Sequence, residues 1–314
     1  MANIMDIKYA NTAYKETAMN QEQIETFLAA AQKGSLRGAA EDLYVEQGTV
    51  SRRIAELEHE LHVTLFYRQK GNRNTSLSEH GEMFLPIARQ ISSLYEEAMK
   101  LQEKDPVKQL RVAGTYSLTD EFLMPVYREY LRKYPETELI TGCEHSSEIY
   151  SMVESMRADI GLVTSIHSNP NVISELLNTE PFVLMYHRTS AYALSGRKED
   201  LKDQDEIYAA YSADYETWHG NAFSGSRRCR ITAGSLSMCI RMLETDQSVW
   251  IILPEHTAVQ WTAMHPDWIF EKTEGAPERT IWLLTGRNRR PAAVSAAEDF
   301  RRLMDVYLRT MKAR

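Results

Sequence analysis

The sequence lacks any run of about eighteen apolar residues, the length a membrane-crossing helix requires, so no transmembrane helix is expected. It holds only three cysteines, Cys143, Cys229 and Cys239, whose spacing fits neither a zinc motif nor a disulfide framework. That pattern suits a reducing, cytoplasmic setting. The opening residues mix charged and polar side chains and contain no apolar signal core, so export is not expected. A basic excess is missing too. The net charge of −8 argues against indiscriminate coating of nucleic acid; any nucleic-acid contact would have to be local and oriented. There is also no nucleophile elbow, no glycine-rich phosphate loop, no metal spacing and no paired-carboxylate motif. His145 beside Glu144 is a lone pair of neighbours. No catalytic residue, cofactor or metal is therefore expected, and the chain does not read as an enzyme.

What is present supports real cores: 43% of the 314 residues are hydrophobic, and a chain of this length holds about two or three domains. Residues 1–18 carry no clear period and are expected to be a disordered tail. Met19-Asn20 then opens a helix with Ile24, Phe27, Leu28 and Ala31 on one face. Gly34 can end that helix and Ser35 can cap the next. In the second helix Leu36, Ala39, Ala40 and Leu43 fall at i, i+3, i+4, i+7. In the third, Val50, Ile54, Leu57 and Leu61 form an apolar back, while Thr49, Arg52, Arg53 and Glu56 form the opposite face. An apolar back with arginines and hydroxyls in front suits a DNA major groove.

After Leu61, two β-prone segments flank the Gly71-Asn72 turn, which reads as a hairpin. Arg68, Lys70 and Arg73 place cations there, within reach of phosphates beside the groove. A winged helix-turn-helix is expected over residues 19–78. Its DNA-contact candidates are Ser35, Arg37, Gln47, Thr49, Arg52 and Arg53 on the helices, with Arg68, Lys70 and Arg73 on the wing.

Ser78 should cap a long helix reaching about Lys104, before Asp105-Pro106 stops it. Phe84, Ile87, Ile91, Leu94, Ala98 and Leu101 repeat with alternating spacings of three and four, the a/d seam of a coiled coil. A long helix between two separate domains has no obvious core of its own, so residues 79–105 are read as a linker helix that dimerises.

Residues 19–82 resemble the DNA-binding domain of LysR-type transcriptional regulators. The resemblance rests on Gly34-Ser35-Leu36, Ala39-Ala40, Gln47, Val50-Ser51-Arg52, Leu57-Glu58, Leu65-Phe66 and Leu77-Ser78-Glu79-His80-Gly81, in that order. The family commonly begins its recognition helix with Ser-Gln-Pro; here it is Glu46-Gln47-Gly48. Glu46 still favours a helix N-terminus electrostatically, and Gly48 loosens the first turn. The departure bears on which bases are read.

From Val107 onward, strands alternate with helices, which indicates a parallel sheet. The strands are expected at Leu110–Gly114, Thr137–Gly142, Asp159–Val163, Pro181–His187, Ile207–Tyr211, Arg230–Thr232, Val249–Pro254 and Thr280–Thr285. Helices are expected before Tyr134, at Ser147–Met156 and Ser235–Glu244, and from Ala292 to Met311. The landmarks Gly114, Met124-Pro125, Glu180-Pro181, Gly234-Ser235-Leu236 and Leu253-Pro254 resemble the LysR-type effector domain, so the resemblance covers residues 19–314.

The fold class implied is α+β multidomain: a winged helix-turn-helix, a linker helix, and a C-terminal two-subdomain α/β domain like a periplasmic binding protein. The effector domain would span 107–314, with subdomain I at 107–166 and 267–314 and subdomain II at 167–266. The resemblance further implies a homodimer or homotetramer, double-stranded operator DNA and a small-molecule effector as partners, and contact with RNA polymerase. Turns and helix starts facing the cleft bind anions through free N–H groups and hydroxyls. The effector candidates are Tyr116, Ser117 and Thr119 after the first strand, His145, Ser146 and Ser147 after the second, and Gly234 and Ser235 opposite. A small, anionic metabolite is expected, although Asp120, Glu121, Glu144 and Glu148 stand nearby. Two alternatives remain: a thiol redox sensor using Cys229 and Cys239, with Arg227, Arg228 and Arg230 beside the first, and an enzyme fused to a DNA-binding domain.

Overall fold

In the computed structural model, the described residues are 19–68, 75–100, 108–223, 229–244 and 246–312. The proposed tail at 1–18 therefore lies outside them. So do Lys70, Arg73, Leu101, Arg227, Arg228 and the side chain of Arg68. The chain divides into two compact units, the second beginning at Val107.

In the first unit, local chemistry fixes the helices α1 (Gln21–Lys33), α2 (Leu36–Asp42) and α3 (Gln47–Leu61). Asn20 and Gln23 cap α1 reciprocally, each side chain accepting the other's backbone N–H at 3.0 and 2.9 Å. Gly34 ends α1 in the left-handed region, φ 62°. Ser35 accepts the Gly38 N–H at 3.0 Å and caps α2. Past α3, Glu58 Oε1 accepts the N–H groups of Leu65 (2.7 Å) and Phe66 (3.1 Å), steering the chain into strand β1 (Phe66–Arg68). β1 pairs antiparallel with β2 (Thr75–Leu77), as a wing requires.

The helix α4 (Glu79–Lys100) follows. Its Gly81 sits so tightly that a Cβ would lie 2.2 Å from the Leu65 carbonyl oxygen. Phe27 lies at the centre of this unit, against Phe66 (5.4 Å) and edge-on to Phe84 (5.0 Å). Phe84 is thus buried in its own domain rather than presented on a dimer seam. Ile91 also packs on that core. The exposed apolar face of α4 is instead Met83, Ile87, Leu94, Tyr95 and Met99, with Ala98 exposed beside them.

The second unit contains two lobes. In the first, a five-stranded sheet runs in the order β4-β3-β5-β12-β6, formed by β3 (Lys108–Gly114), β4 (Thr137–Cys143), β5 (Ile160–Val163), β6 (Val172–Glu180) and β12 (Arg279–Gly286). Only β3 with β4 and β3 with β5 are parallel; β12 runs antiparallel to both neighbours. The sheet is therefore mixed, not parallel as strand–helix alternation suggested, because β12 returns from the other lobe. In that lobe β7 (Phe182–His187), β10 (Trp250–Pro254) and β11 (Trp268–Lys272) form an antiparallel sheet, beside a parallel pair of β8 (Ile207–Ala209) and β9 (Ile231–Ala233).

The pairings place the lobe crossings at Glu180-Pro181 and between Lys272 and Arg279, not at 166/167 and 266/267. β6 belongs with β12, and β11 with β7. Helices α5 (Met124–Lys133) and α6 (Ser146–Glu154), together with the C-terminal helix (Val294–Lys312), belong to the first lobe. Arg290, just before the C-terminal helix, makes a buried bidentate pair with Asp159 at 2.6 and 2.9 Å, and the same carboxylate accepts the Arg111 N–H. No helix among the described residues is long and apolar enough to cross a membrane.

Candidate functional site

In the first unit, α2 and α3 are joined by a turn in which Tyr44 takes a left-handed φ of 55° and stands 95% exposed. Sequence reading did not single out Tyr44; it lies between Leu43 and Val45, which pack on the core, so the local pattern does not mark it as exposed. Glu46 stands at the N-cap of α3 without making a side-chain cap bond. Gln47 is exposed and Thr49 half-buried beside it.

Arg37, Arg52 and Arg53 each have an internal carboxylate. Arg37 pairs with Glu41 at 2.9 Å and Arg52 with Glu56 at 2.8 Å, both exposed i,i+4 pairs. Arg53 differs. Its side chain is only 17% exposed and it reaches Glu22 on α1. It does not stand in the open outward face, because α1 lies against that side of α3. Any anion approaching Arg37 or Arg52 would compete with these carboxylates for the guanidinium groups.

In the second unit, a cleft of about 560 Å³ opens between the lobes. Of the residues expected there, Tyr116, Ser117, His145, Ser146, Gly234 and Ser235 line it. Thr119 does not. It is buried in a π-helical turn (Leu118–Phe122) beneath β3, where its hydroxyl would lie 2.6 Å from a Cβ on Gly114. Ser147 points to solvent instead. Asp120 does not enter the cleft lining either; it accepts from Ser237 at 3.2 Å.

The residue that sequence reading missed is Arg279, at the start of β12. It lines the cleft yet is only 5% exposed. Its Nη1 donates to Glu180 Oε1 at 3.2 Å, and its Nη2 donates to Ser117 Oγ. Glu180 Oε2 accepts from His256 Nδ1 at 2.5 Å. Burial pushes the Glu180 carboxyl up, but His256 and Arg279 outweigh it, and it sits below the ordinary carboxylate value. A buried chain Ser117–Arg279–Glu180–His256 thus runs through the crossing between the lobes. Thr115, also on the cleft wall, has a buried hydroxyl oxygen with no partner among the described residues.

Residues 21–82 match the family profile of bacterial regulatory helix-turn-helix proteins, lysR family. Residues 103–305 match the LysR substrate binding domain. The chain belongs to the LysR family. It is similar to the uncharacterized HTH-type transcriptional regulator YxjO of Bacillus subtilis, 34% identical over 152 residues, 46% of this chain and 50% of that protein. It is also similar to the HTH-type transcriptional regulator HdfR of Yersinia pestis, 25% identical over 79% of this chain and 86% of that one. Across the first curated relatives, the match spans between 45% and 65% of their length. The fold is shared with the full-length regulator LysG of Corynebacterium glutamicum with bound effector Arg: TM-score 0.62, 17% identity, 93% of this chain and 99% of that one.

For a LysR-family chain, the cysteines are poorly placed as a thiol pair. Cys239 is fully buried, and burial pushes its thiol up to about 12. Cys229 packs half-buried against the aromatic cluster around Trp250, whereas Cys239 belongs to the neighbouring cluster around Ile251. A thiolate, the reactive form, is disfavoured at Cys239.

Proposed function

We propose that this chain is a sequence-specific, ligand-responsive transcription regulator acting in the cytoplasm. α3 enters the major groove, with Gln47, Thr49 and Arg52 toward base edges. Ser35 and Arg37, with Arg68, Lys70 and Arg73 on the wing, lie toward the phosphate backbone. Arg53 holds α3 to α1. The exposed face of α4 through Ile87, Leu94 and Ala98 packs on a second copy, giving a dimer or tetramer, and the assembly works with RNA polymerase.

The effector is a small metabolite with an anionic group, seated between the lobes against Tyr116, Ser117, His145, Ser146, Gly234 and Ser235. A ligand touching both lobes favours the closed form, and it shifts the population only as far as it binds that form better. The observation that carries this reading is a winged helix-turn-helix and a two-lobed cleft on one chain. The bound Arg of LysG lends support to a small metabolite as the ligand. The transcript profile of a strain lacking the gene, set beside the genomic fragments the protein retains, tests the proposal. A small set of transcripts should change, next to retained fragments. No change in transcripts and no retained fragment would reject it.

A further inference from the structure

The charges around the cleft are unevenly distributed. Arg279 is the only arginine or lysine lining it among the described residues, and its charge is balanced at 3.2 Å by the buried Glu180. Two exposed carboxylates, Asp214 and Glu278, line the same space, and neither is paired among the described residues. Asp214, in the first turn of a helix (Ala213–Ala222), also complements that helix's dipole. Glu278 has no such local reason to be there. Among the described lining residues the carboxylates outnumber the cation, so a ligand carrying only negative charge would be repelled by Asp214 and Glu278.

The same cleft carries hydroxyl donors close to these carboxylates: Ser212 caps the helix that holds Asp214, and Ser117 is bonded to Arg279, next to Glu278 in the chain. Ser117 Oγ accepts from Arg279, Ser212 Oγ accepts the Tyr215 N–H at 3.2 Å, and Ser235 Oγ accepts the Met238 N–H at 3.3 Å. A hydroxyl whose oxygen already accepts has its O–H left to donate. All three line the cleft, beside the buried, unpartnered hydroxyl oxygen of Thr115. Donors of this kind suit a carboxylate, and a purely cationic ligand would leave them unmatched.

We infer that the cleft takes a zwitterion: a small ligand of the amino-acid class whose carboxylate meets the Ser117, Ser212 and Ser235 hydroxyls and whose α-ammonium meets Asp214 and Glu278. This rests on the cleft being the effector site, and it adds a positive group to the anionic one already proposed. A volume of about 560 Å³ leaves room for such a molecule with a side chain.

The test is calorimetry on the full chain with three sets of probes: the common amino acids with their N-acetyl derivatives, short dicarboxylates, and diamines. Parent, Asp214→Asn/Glu278→Gln and Ser117→Ala/Ser235→Ala proteins are compared after their ligand-free melting temperatures are checked. An amino acid should bind, its N-acetyl derivative should not, and the acidic double variant should lose about tenfold or more in affinity. Binding of a dicarboxylate or diamine with no amino acid bound overturns the inference but keeps the cleft if the serine double variant weakens it. So does binding of an amino acid unaffected by loss of Asp214 and Glu278. Binding of no amino acid at all overturns it too. A ligand indifferent to both double variants lies outside the cleft and defeats the reading on which the inference rests.

Discussion

Arg53 of the third helix is tied to Glu22 of the first, while Arg52, one residue earlier, stands in solvent beside Glu56. Adjacent arginines thus have separable roles. Arg52→Ala should cost operator affinity about 1–3 kcal/mol if it pairs with a guanine edge, with no change in melting temperature. Arg53→Ala should lower the melting temperature, because it removes a tie between helices. Fluorescence anisotropy and thermal melts on both variants check the division. The same loss pattern in both would refute it.

The apolar positions of α4 split in the same way. Leu94→Asp places a charge on the exposed face and should reduce the mass measured by light scattering, because an unpaired charge in an interface is strongly unfavourable. Phe84→Ala should instead unfold the first unit more easily, by about 3–5 kcal/mol. An unchanged mass for Leu94→Asp would mean that this face does not join two copies.

Gly81 makes a third test. A Cβ there meets a backbone oxygen, which cannot swing aside as a side chain can. Gly81→Ala should therefore destabilise by about 1–3 kcal/mol in chemical denaturation. A variant as stable as the parent would show that the β1 end moves freely.

Much of this was legible because it is local. Asn20, Ser35 and Ser235 cap the helices that directly follow them, so short-range rules suffice. Arg279 was not legible. Its meaning comes from Glu180 and Ser117, which lie far from it in sequence and meet it only through strand pairing. β6 was missed because it is an edge strand with an irregular burial pattern and a bulge near Ile281, and missing it displaced the lobe boundary. Thr119 looked like a cleft hydroxyl because nothing in the sequence marks the π-helical turn that carries it beneath β3.

Acid–base behaviour separates two carboxylates at the lobe contact. Burial lifts the Glu121 carboxyl above its ordinary value near 4.5; the Ser237 hydrogen bond and the charges of His256 and Arg241 offset this in part, and Asp120 adds to it. A raised folded value means that its stabilising contribution is present below about 4.5 and is lost as pH rises through the folded value. Glu180, with its value lowered, behaves oppositely: its contribution holds above 4.5 and is lost on acidification. Glu121→Gln should therefore melt above the parent at neutral pH, and the difference should vanish near pH 4. Equal melting at neutral pH would contradict this.

The measurement that bears most directly on the whole account is selection of bound sites from a random duplex pool by the full chain. One two-fold symmetric site should be enriched, since a symmetric dimer reads two half-sites. Gln47→Ala and Arg52→Ala proteins with parental melting temperatures should lose or alter that site. No enriched sequence, or the same sequence enriched by both variants, would contradict it.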